Sequence, residues 1–302
     1  MFPDFLPAAV HQLSEETSIQ QAQAIQRVEV KLEEGQISTT YVQRGEGQTP
    51  LLLIHGFDSS VLEFRRLQPL LAQSRETWAV DLLGFGFTER SPQGAFSPDA
   101  IKAHLYGFWQ QAIARPVVLV GASMGGAAAI DFALTYPEAV ERLVLLDSAG
   151  IAKGPVIGKY LFPPFDSLAA NFLRRPGVRN QISYSAYFDK SFNSADARCC
   201  AALHLDCEGW KQALIKFTKS GGFPSLTAKL PQLELPTLVI WGEEDRILGT
   251  DDAGEFKQRL PHGELVWIPC CGHVPHLERP NTTRRAIEGF LGEEGSRGKR
   301  RQ

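Results

Sequence analysis

A series of short, continuous apolar runs, each ending in a glycine-rich or polar turn, constrains this chain more than any other feature. They are LLLIHG after Pro50, TWAVDLLG at 77–84, PVVLVGAS at 116–123, RLVLLDSAG at 142–150, PTLVIWGEED at 236–245 and GELVWIPCCGH at 263–273. Runs that are apolar throughout, rather than at every second position, belong to strands buried on both faces, as in a parallel sheet. Helix-length segments lie between them, near 62–73, 97–114, 125–136, 251–260 and 279–291. Strands alternating with helices predict an α/β fold, a mostly parallel sheet flanked by helices on both sides. Ahead of this series, RVEVKLEE at 27–34 and ISTTYVQ at 37–43 alternate around Gly35 and read as an antiparallel hairpin. Residues 1–25 are Gln-rich and read as one weak helix on the surface.

The alternation breaks once. Between 151 and 231 there is no buried strand, and the segment carries Tyr160, Phe162, Phe165, Phe172, Tyr184, Tyr187, Phe188 and Phe192. An insertion of this size between two strands reads as a helical cap. Its aromatics are expected to give a largely apolar pocket, with at least half of them joining cap to core. The resulting organisation is an N-terminal helical segment at 1–25, a core at 26–150, a cap at 151–231, the rest of the core at 232–292 and a disordered basic tail at 293–302. That tail holds Arg297, Lys299, Arg300 and Arg301.

Charge and cysteine usage narrow the function classes. Thirty-one Lys and Arg against 34 Asp and Glu leave a net charge of -3, which excludes a globally basic nucleic-acid binder. No apolar stretch reaches membrane-spanning length, so no stable membrane insertion is expected. The start, MFPDFLPAAVHQLSEE, lacks the basic and apolar regions of a signal peptide. The five cysteines fall at 199, 200, 207, 270 and 271. Adjacent pairs with one left over do not make a disulfide framework, and no Cys/His spacing suits zinc, so a reducing, cytoplasmic setting is expected.

The chemistry is concentrated in Gly121-Ala122-Ser123-Met124-Gly125-Gly126, which follows a β-branched strand and precedes the helix former AAAIDFAL. In that context G-x-S-x-G is a nucleophile turn. A serine in so tight a bend crowds its neighbours, and Gly121 and Gly125 stand where side chains would collide. Its hydroxyl is then exposed above the first turn of a helix, where the Met124 N–H can act as an oxyanion donor. Serine needs a base, and the base an orienting carboxylate. Asp245 in Gly242-Glu243-Glu244-Asp245 and His273 in Cys271-Gly272-His273 each follow a buried strand, in the chain order Ser, Asp, His. Asp147 and Glu244 are rival acids and His276 a rival base; His11, His104, His204 and His262 read as packing or surface residues. In His55-Gly56-Phe57, the Phe57 N–H is the second oxyanion donor, while His55 and Gly56 support the loop.

These motifs, with Asp81-Leu82-Leu83-Gly84-Phe85-Gly86-Phe87-Thr88, resemble the α/β-hydrolase fold superfamily and, within it, the capped serine hydrolases. The resemblance runs from about residue 36 to 292. It implies an eight-stranded sheet with strand 2 antiparallel, a cap after strand 6, and no metal or organic cofactor. It is similar in layout to haloalkane dehalogenases and epoxide hydrolases, but those use an aspartate where Ser123 stands. The Ser-Met-Gly-Gly turn is shared with carbon–carbon bond hydrolases of ring-cleavage products. Those tend to carry a cap arginine, for which Arg174, Arg175 and Arg179 are candidates, and a tryptophan after the histidine, where this chain has Val274. The expected function is hydrolysis of small, largely apolar carboxylic esters through an acyl-enzyme, by a monomer or homodimer. Carbon–carbon bond hydrolysis, cofactor-free perhydrolase or lyase chemistry, and a non-catalytic binding role are the alternatives.

Overall fold

The computed structural model describes residues 1–33, 35–152 and 160–297, with side chains followed to residue 292. Every apolar run is a strand. The sheet holds β1 (Gln26–Leu32), β2 (Gly35–Arg44), β3 (Leu51–Ile54), β4 (Thr77–Val80), β5 (Val117–Ala122), β6 (Val140–Leu146), β7 (Thr237–Gly242) and β8 (Gly263–Ile268). Its spatial order is β1-β2-β4-β3-β5-β6-β7-β8. β1 and β2 form the antiparallel hairpin around Gly35, and β2 also runs antiparallel to β4. From β4 to β8 all pairs are parallel.

Side-chain alternation divides the core into two layers. Leu52 and Ile54 of β3 join one apolar cluster with Val117 and Leu119 of β5. Leu51 and Leu53 join the other with Val118 and Val120. Both faces are therefore dry, which is why these strands lack polar positions.

The helices are α1 (Glu16–Gln23), α2 (Gln68–Leu71), α3 (Pro98–Phe108), α4 (Met124–Thr135), α5 (Phe165–Arg174), α6 (Pro176–Ala186), α7 (Ala195–Ala202), α8 (Trp210–Ser220), α9 (Asp251–Arg259), α10 (Pro275–Glu278) and α11 (Pro280–Arg297). The expected helix at 62–73 is instead a 3-10 turn, Val61–Phe64, followed by the short α2. The one at 97–114 is capped by Ser97, whose hydroxyl accepts from the Ala100 N–H, and ends in a π turn closed by Ala114 at φ 54°. The last helix runs five residues past the boundary drawn at 292, and the rest of the expected tail, 298–302, lies outside the described residues.

Residues 1–25 do not form one surface helix. They make a 3-10 turn, Ala8–Gln12, and α1, and Leu6, Val10, Leu13, Ala22 and Ile25 join the second apolar layer. Ser18 and Gln21 are wholly buried as well. Each polar side chain has a partner: Gln21 Nε2 donates to Gln68 Oε1 at 2.6 Å, and Ser18 Oγ donates to Asp196 Oδ2 at 2.5 Å. Asp196, on α7, also accepts from the backbone N–H groups of Ser14 and Glu15.

The long insertion between β6 and β7 contains α5 to α8, with a small apolar cluster of its own around Ala170, Leu205, Trp210 and Leu214. Its aromatics contradict the expectation. Tyr160, Phe162, Phe165, Phe172, Tyr184 and Phe188 are exposed, and only Tyr187 of the eight is buried. α5 buries only Asp166 and Ala170 and α6 buries no residue, so the rings at Phe165 and Phe172 stay in solvent.

Candidate active site

Parallel strands deliver all their carboxyl ends to one edge of the sheet. Four of them supply the polar groups gathered here: β3 leads to His55, β5 to Ser123, β7 to Asp245 and the last strand, β8, to His273. Ser123 sits between β5 and α4 at φ 51°, ψ -120°, a conformation that non-glycine residues adopt only under constraint. The neighbouring glycines explain how the bend fits. A Cβ on Gly121 would lie 2.4 Å from the Gly125 carbonyl oxygen, and one on Gly125 would lie 2.3 Å from that of Ile54. The Ser123 hydroxyl does not cap α4.

It is instead hydrogen-bonded to His273. Ser123 Oγ lies 3.0 Å from His273 Nε2, and His273 Nδ1 lies 2.8 Å from Asp245 Oδ2. A carboxylate can only accept, so Nδ1 carries the proton and Nε2 presents a lone pair to the serine. Asp245 is itself held, because its Oδ1 accepts from the Ile247 and Leu248 N–H groups at 2.7 and 3.2 Å. The backbone of His273 is pinned by its N–H to the Ala186 carbonyl at the end of α6.

The rivals are placed elsewhere. Asp147, at φ 41°, accepts from the Gly242 N–H and lies beside Asp245. Burial, and then the neighbouring Asp245 charge, pushes its carboxyl well above the usual range. Glu244 accepts from the Cys271 N–H. His276 Nε2 lies 3.1 Å from Glu63 Oε1, away from the serine. His104 bonds Thr39 at 2.7 Å, and burial holds its imidazole down to about 4. His262 is exposed near Glu234, and His11 packs edge-on against Phe2. Of the arginines in the insertion, Arg174 pairs with Asp206 and Arg175 lies over the Phe172 ring, while Arg179 turns inward to Asp58.

The His55-Gly56-Phe57 loop is fastened from below. His55 is fully buried, and burial lowers its imidazole to about 4, so it is neutral. Its Nδ1–H donates to the Gly56 carbonyl at 2.8 Å, and its Nε2 accepts from the Leu82 N–H. The Gly56 N–H donates to Glu63 Oε2. Burial opposes ionisation of Glu63, but His276 beside it prevails and holds the carboxyl down to about 2. The Phe57 N–H follows this fixed peptide, and the Met124 N–H opens α4, where the first amides have no partner within the helix.

Sequence reasoning missed Glu63 and Asp58, both of which line the cavity beside Ser123. The only signal was their place just after the His55-Gly56-Phe57 motif. That cavity is about 260 Å³, with Leu173, Ile182, Ile247, Val274 and Leu277 supplying apolar wall. Among the described residues, Asp147, Asp245 and His273 offer ligand atoms within 4.8 Å of one another. Asp245 is committed to His273, Ile247 and Leu248, and burial disfavours the charged form of Asp147, a poor donor set for a cation. No helix among the described residues is long and apolar enough to cross a membrane. Cys199, Cys200, Cys207, Cys270 and Cys271 are all free thiols.

Comparison with known proteins identifies the family. A model of the alpha/beta hydrolase family matches residues 51–286. The alpha/beta hydrolase domain-containing protein VTE7 of Arabidopsis thaliana is 30% identical over 298 residues, covering 96% of this chain and 90% of the relative. The 2-hydroxy-6-oxo-2,4-heptadienoate hydrolase of Pseudomonas putida is 28% identical, covering 86% of this chain and 95% of the relative. Among solved structures, a thermophilic esterase from Thermogutta terrifontis superposes with a TM-score of 0.76 at 26% identity, covering 89% of this chain and 98% of that one.

Proposed function

The chain belongs to the alpha/beta hydrolase family, and from that premise we propose that it is a serine hydrolase of carboxylic esters, with Ser123 as nucleophile. The observation that carries this reading is the relay from Ser123 Oγ through His273 to Asp245, at 3.0 and 2.8 Å. His273 Nε2 takes the hydroxyl proton as Oγ attacks the ester carbonyl carbon. The oxyanion of the tetrahedral intermediate is held by the Phe57 and Met124 N–H groups; loss of one such donor costs about 100- to 1,000-fold in rate. Collapse breaks the bond to the alkoxy oxygen, and His273 returns its proton to the departing alcohol. Water, deprotonated by His273, then attacks the acyl-enzyme, and Ser123 leaves with the proton restored. Asp245 keeps the Nδ1–H tautomer throughout. The insertion serves as the cap over a cavity whose size and aliphatic wall support short, largely apolar esters.

A second reading is hydrolysis of a carbon–carbon bond in a ring-cleavage-type diketone, favoured by the 28% identity to the P. putida heptadienoate hydrolase. The test is a panel of nitrophenyl esters of increasing chain length beside such a diketone, with Ser123→Ala as control. Ester turnover abolished by Ser123→Ala, and fluorophosphonate labelling of Ser123, are the expected results. Turnover of the diketone alone transfers the reading to the second class. No turnover and no labelling overturns both.

A further inference from the structure

The residue after the Phe57 donor gathers the insertion onto the core. Asp58 is buried and held at φ 48°. Its Oδ1 accepts from His204 Nε2 at 3.0 Å and Trp210 Nε1 at 2.8 Å, and its Oδ2 accepts from Arg179 Nη1 at 2.7 Å. Arg179 Nη2 donates to the Asp58 carbonyl at 3.3 Å and to the Ala201 carbonyl at 2.5 Å. These three donors come from separate parts of the insertion: Arg179 from α6, His204 from the 3-10 turn Leu203–Asp206, and Trp210 from the start of α8.

The protonation states are determined by the same contacts. Asp58 can only accept while ionised, so His204 carries its proton on Nε2. His204 Nδ1 is buried without a partner, which suits a bare lone pair and not a second N–H. His204 is therefore neutral, in keeping with the burial that lowers its basicity. The cluster then holds one negative charge, Asp58, against one positive charge, Arg179. It is satisfied as built, with three donors converging on a single carboxylate.

Its position gives it a role beyond packing. The Gly56 carbonyl and the Phe57 N–H belong to one planar peptide and point in opposite directions. His55 holds that carbonyl and Glu63 holds the preceding N–H, so the core fixes the peptide from one side. The chain leaving Phe57 is fixed by Asp58, and Asp58 is fixed by the insertion. We propose that Asp58 is a positioning residue: by accepting Arg179, His204 and Trp210 it aims the Phe57 N–H at the oxyanion, so the seating of the cap sets transition-state stabilisation. This rests on the serine-esterase reading of the same site.

The test uses the full chain, a short nitrophenyl ester and a trifluoromethyl ketone, which forms a tetrahedral adduct with the serine. Asp58→Asn keeps the shape but presents N–H to one of the donors. The expected result is a fall in kcat of about 10- to 100-fold with KM changed less than about threefold. The inhibition constant of the ketone should rise by the same factor as kcat falls, because both report the oxyanion. Arg179→Met should do the same, and the double variant should be no worse than the poorer single, since both break one contact set. Trp210→Phe, which removes one donor and keeps the ring, gives a graded loss in both quantities and serves if Asp58→Asn does not fold.

A drop in thermal midpoint with kcat and ketone affinity intact overturns the inference, as does a change confined to KM. In either case the esterase reading survives. A wild-type chain that neither turns over esters nor labels at Ser123 overturns that reading, and the inference with it.

Discussion

Two carboxyls lie close to the same histidine but only Asp245 bonds it, and exchanging each for an amide separates them. In Asp245→Asn the side-chain oxygen is directed by the Ile247 and Leu248 N–H groups, which both bond Oδ1 in the parent. The amide nitrogen is then left facing His273 Nδ1, where Oδ2 stood at 2.8 Å. Two donors cannot face each other, so the imidazole moves its proton to Nε2 and presents N–H to Ser123. A base in that tautomer cannot accept the hydroxyl proton. Loss of the correct tautomer in a serine triad costs about 10,000-fold in kcat, or about 5 kcal/mol of barrier. Asp147→Asn has the opposite expectation. Burial disfavours the charged form of Asp147, its Oδ1 accepts from the Gly242 N–H, and an amide keeps both that acceptor and the shape. Its kcat should stay within about threefold of the parent. The assay is steady-state hydrolysis of a short nitrophenyl ester at pH 7 to 8, with circular dichroism to verify folding. Retention of more than a tenth of kcat by Asp245→Asn, or an equal loss in both variants, refutes the tautomer argument.

Other perturbations follow from contacts already described. Gly125→Ala places a methyl 2.3 Å from the Ile54 carbonyl oxygen and 2.5 Å from that of His55, both backbone atoms. It should cost about 1–3 kcal/mol of stability, read by urea unfolding, and shift the loop carrying Phe57 enough to lower kcat. His104, buried with its imidazole lowered to about 4, binds no proton in the folded state between pH 6.5 and 4, whereas the unfolded chain does. Its linkage therefore costs stability as pH falls through that window, by up to about 1.4 kcal/mol per pH unit. His104→Gln should flatten the decline in urea midpoint between pH 6.5 and 4, and an unchanged slope would contradict the buried-neutral assignment. Asp81, which burial raises to about 7, works in the opposite direction in both proteins and cancels in the comparison.

What could be read from the residues alone was what depends on local pattern. Runs such as Leu51–Ile54 and Val117–Ala122 are strands because nothing but a two-sided core accepts continuous apolar sequence. The meeting of Ser123, Asp245 and His273 was legible because each lies within a few residues of a strand's end, and parallel strands bring those ends together. The invisible features depend on partners distant in the chain. Asp58 reads as an ordinary loop acid until Arg179, His204 and Trp210 converge on it. Ser18 and Gln21 read as surface residues because their partners, Asp196 and Gln68, lie far along the sequence. The aromatics at 160–192 misled for a related reason. Composition states how much apolar area a segment carries, not which side of a helix the core will occupy, and Phe165, Leu168 and Phe172 share the outer side of α5.

The attachment of α7 to the start of the chain has a kinematic consequence. A body joined to its base only by its two covalent ends can swing about the line between them like a door. Asp196 receives Ser14, Glu15 and Ser18, which adds a fixed point away from the covalent ends. Three points that are not in line leave no axis of rotation. Phe57 and Ile247, both on the cavity wall, are exposed. Wholesale opening would require both the leading segment and the Asp58 cluster to let go.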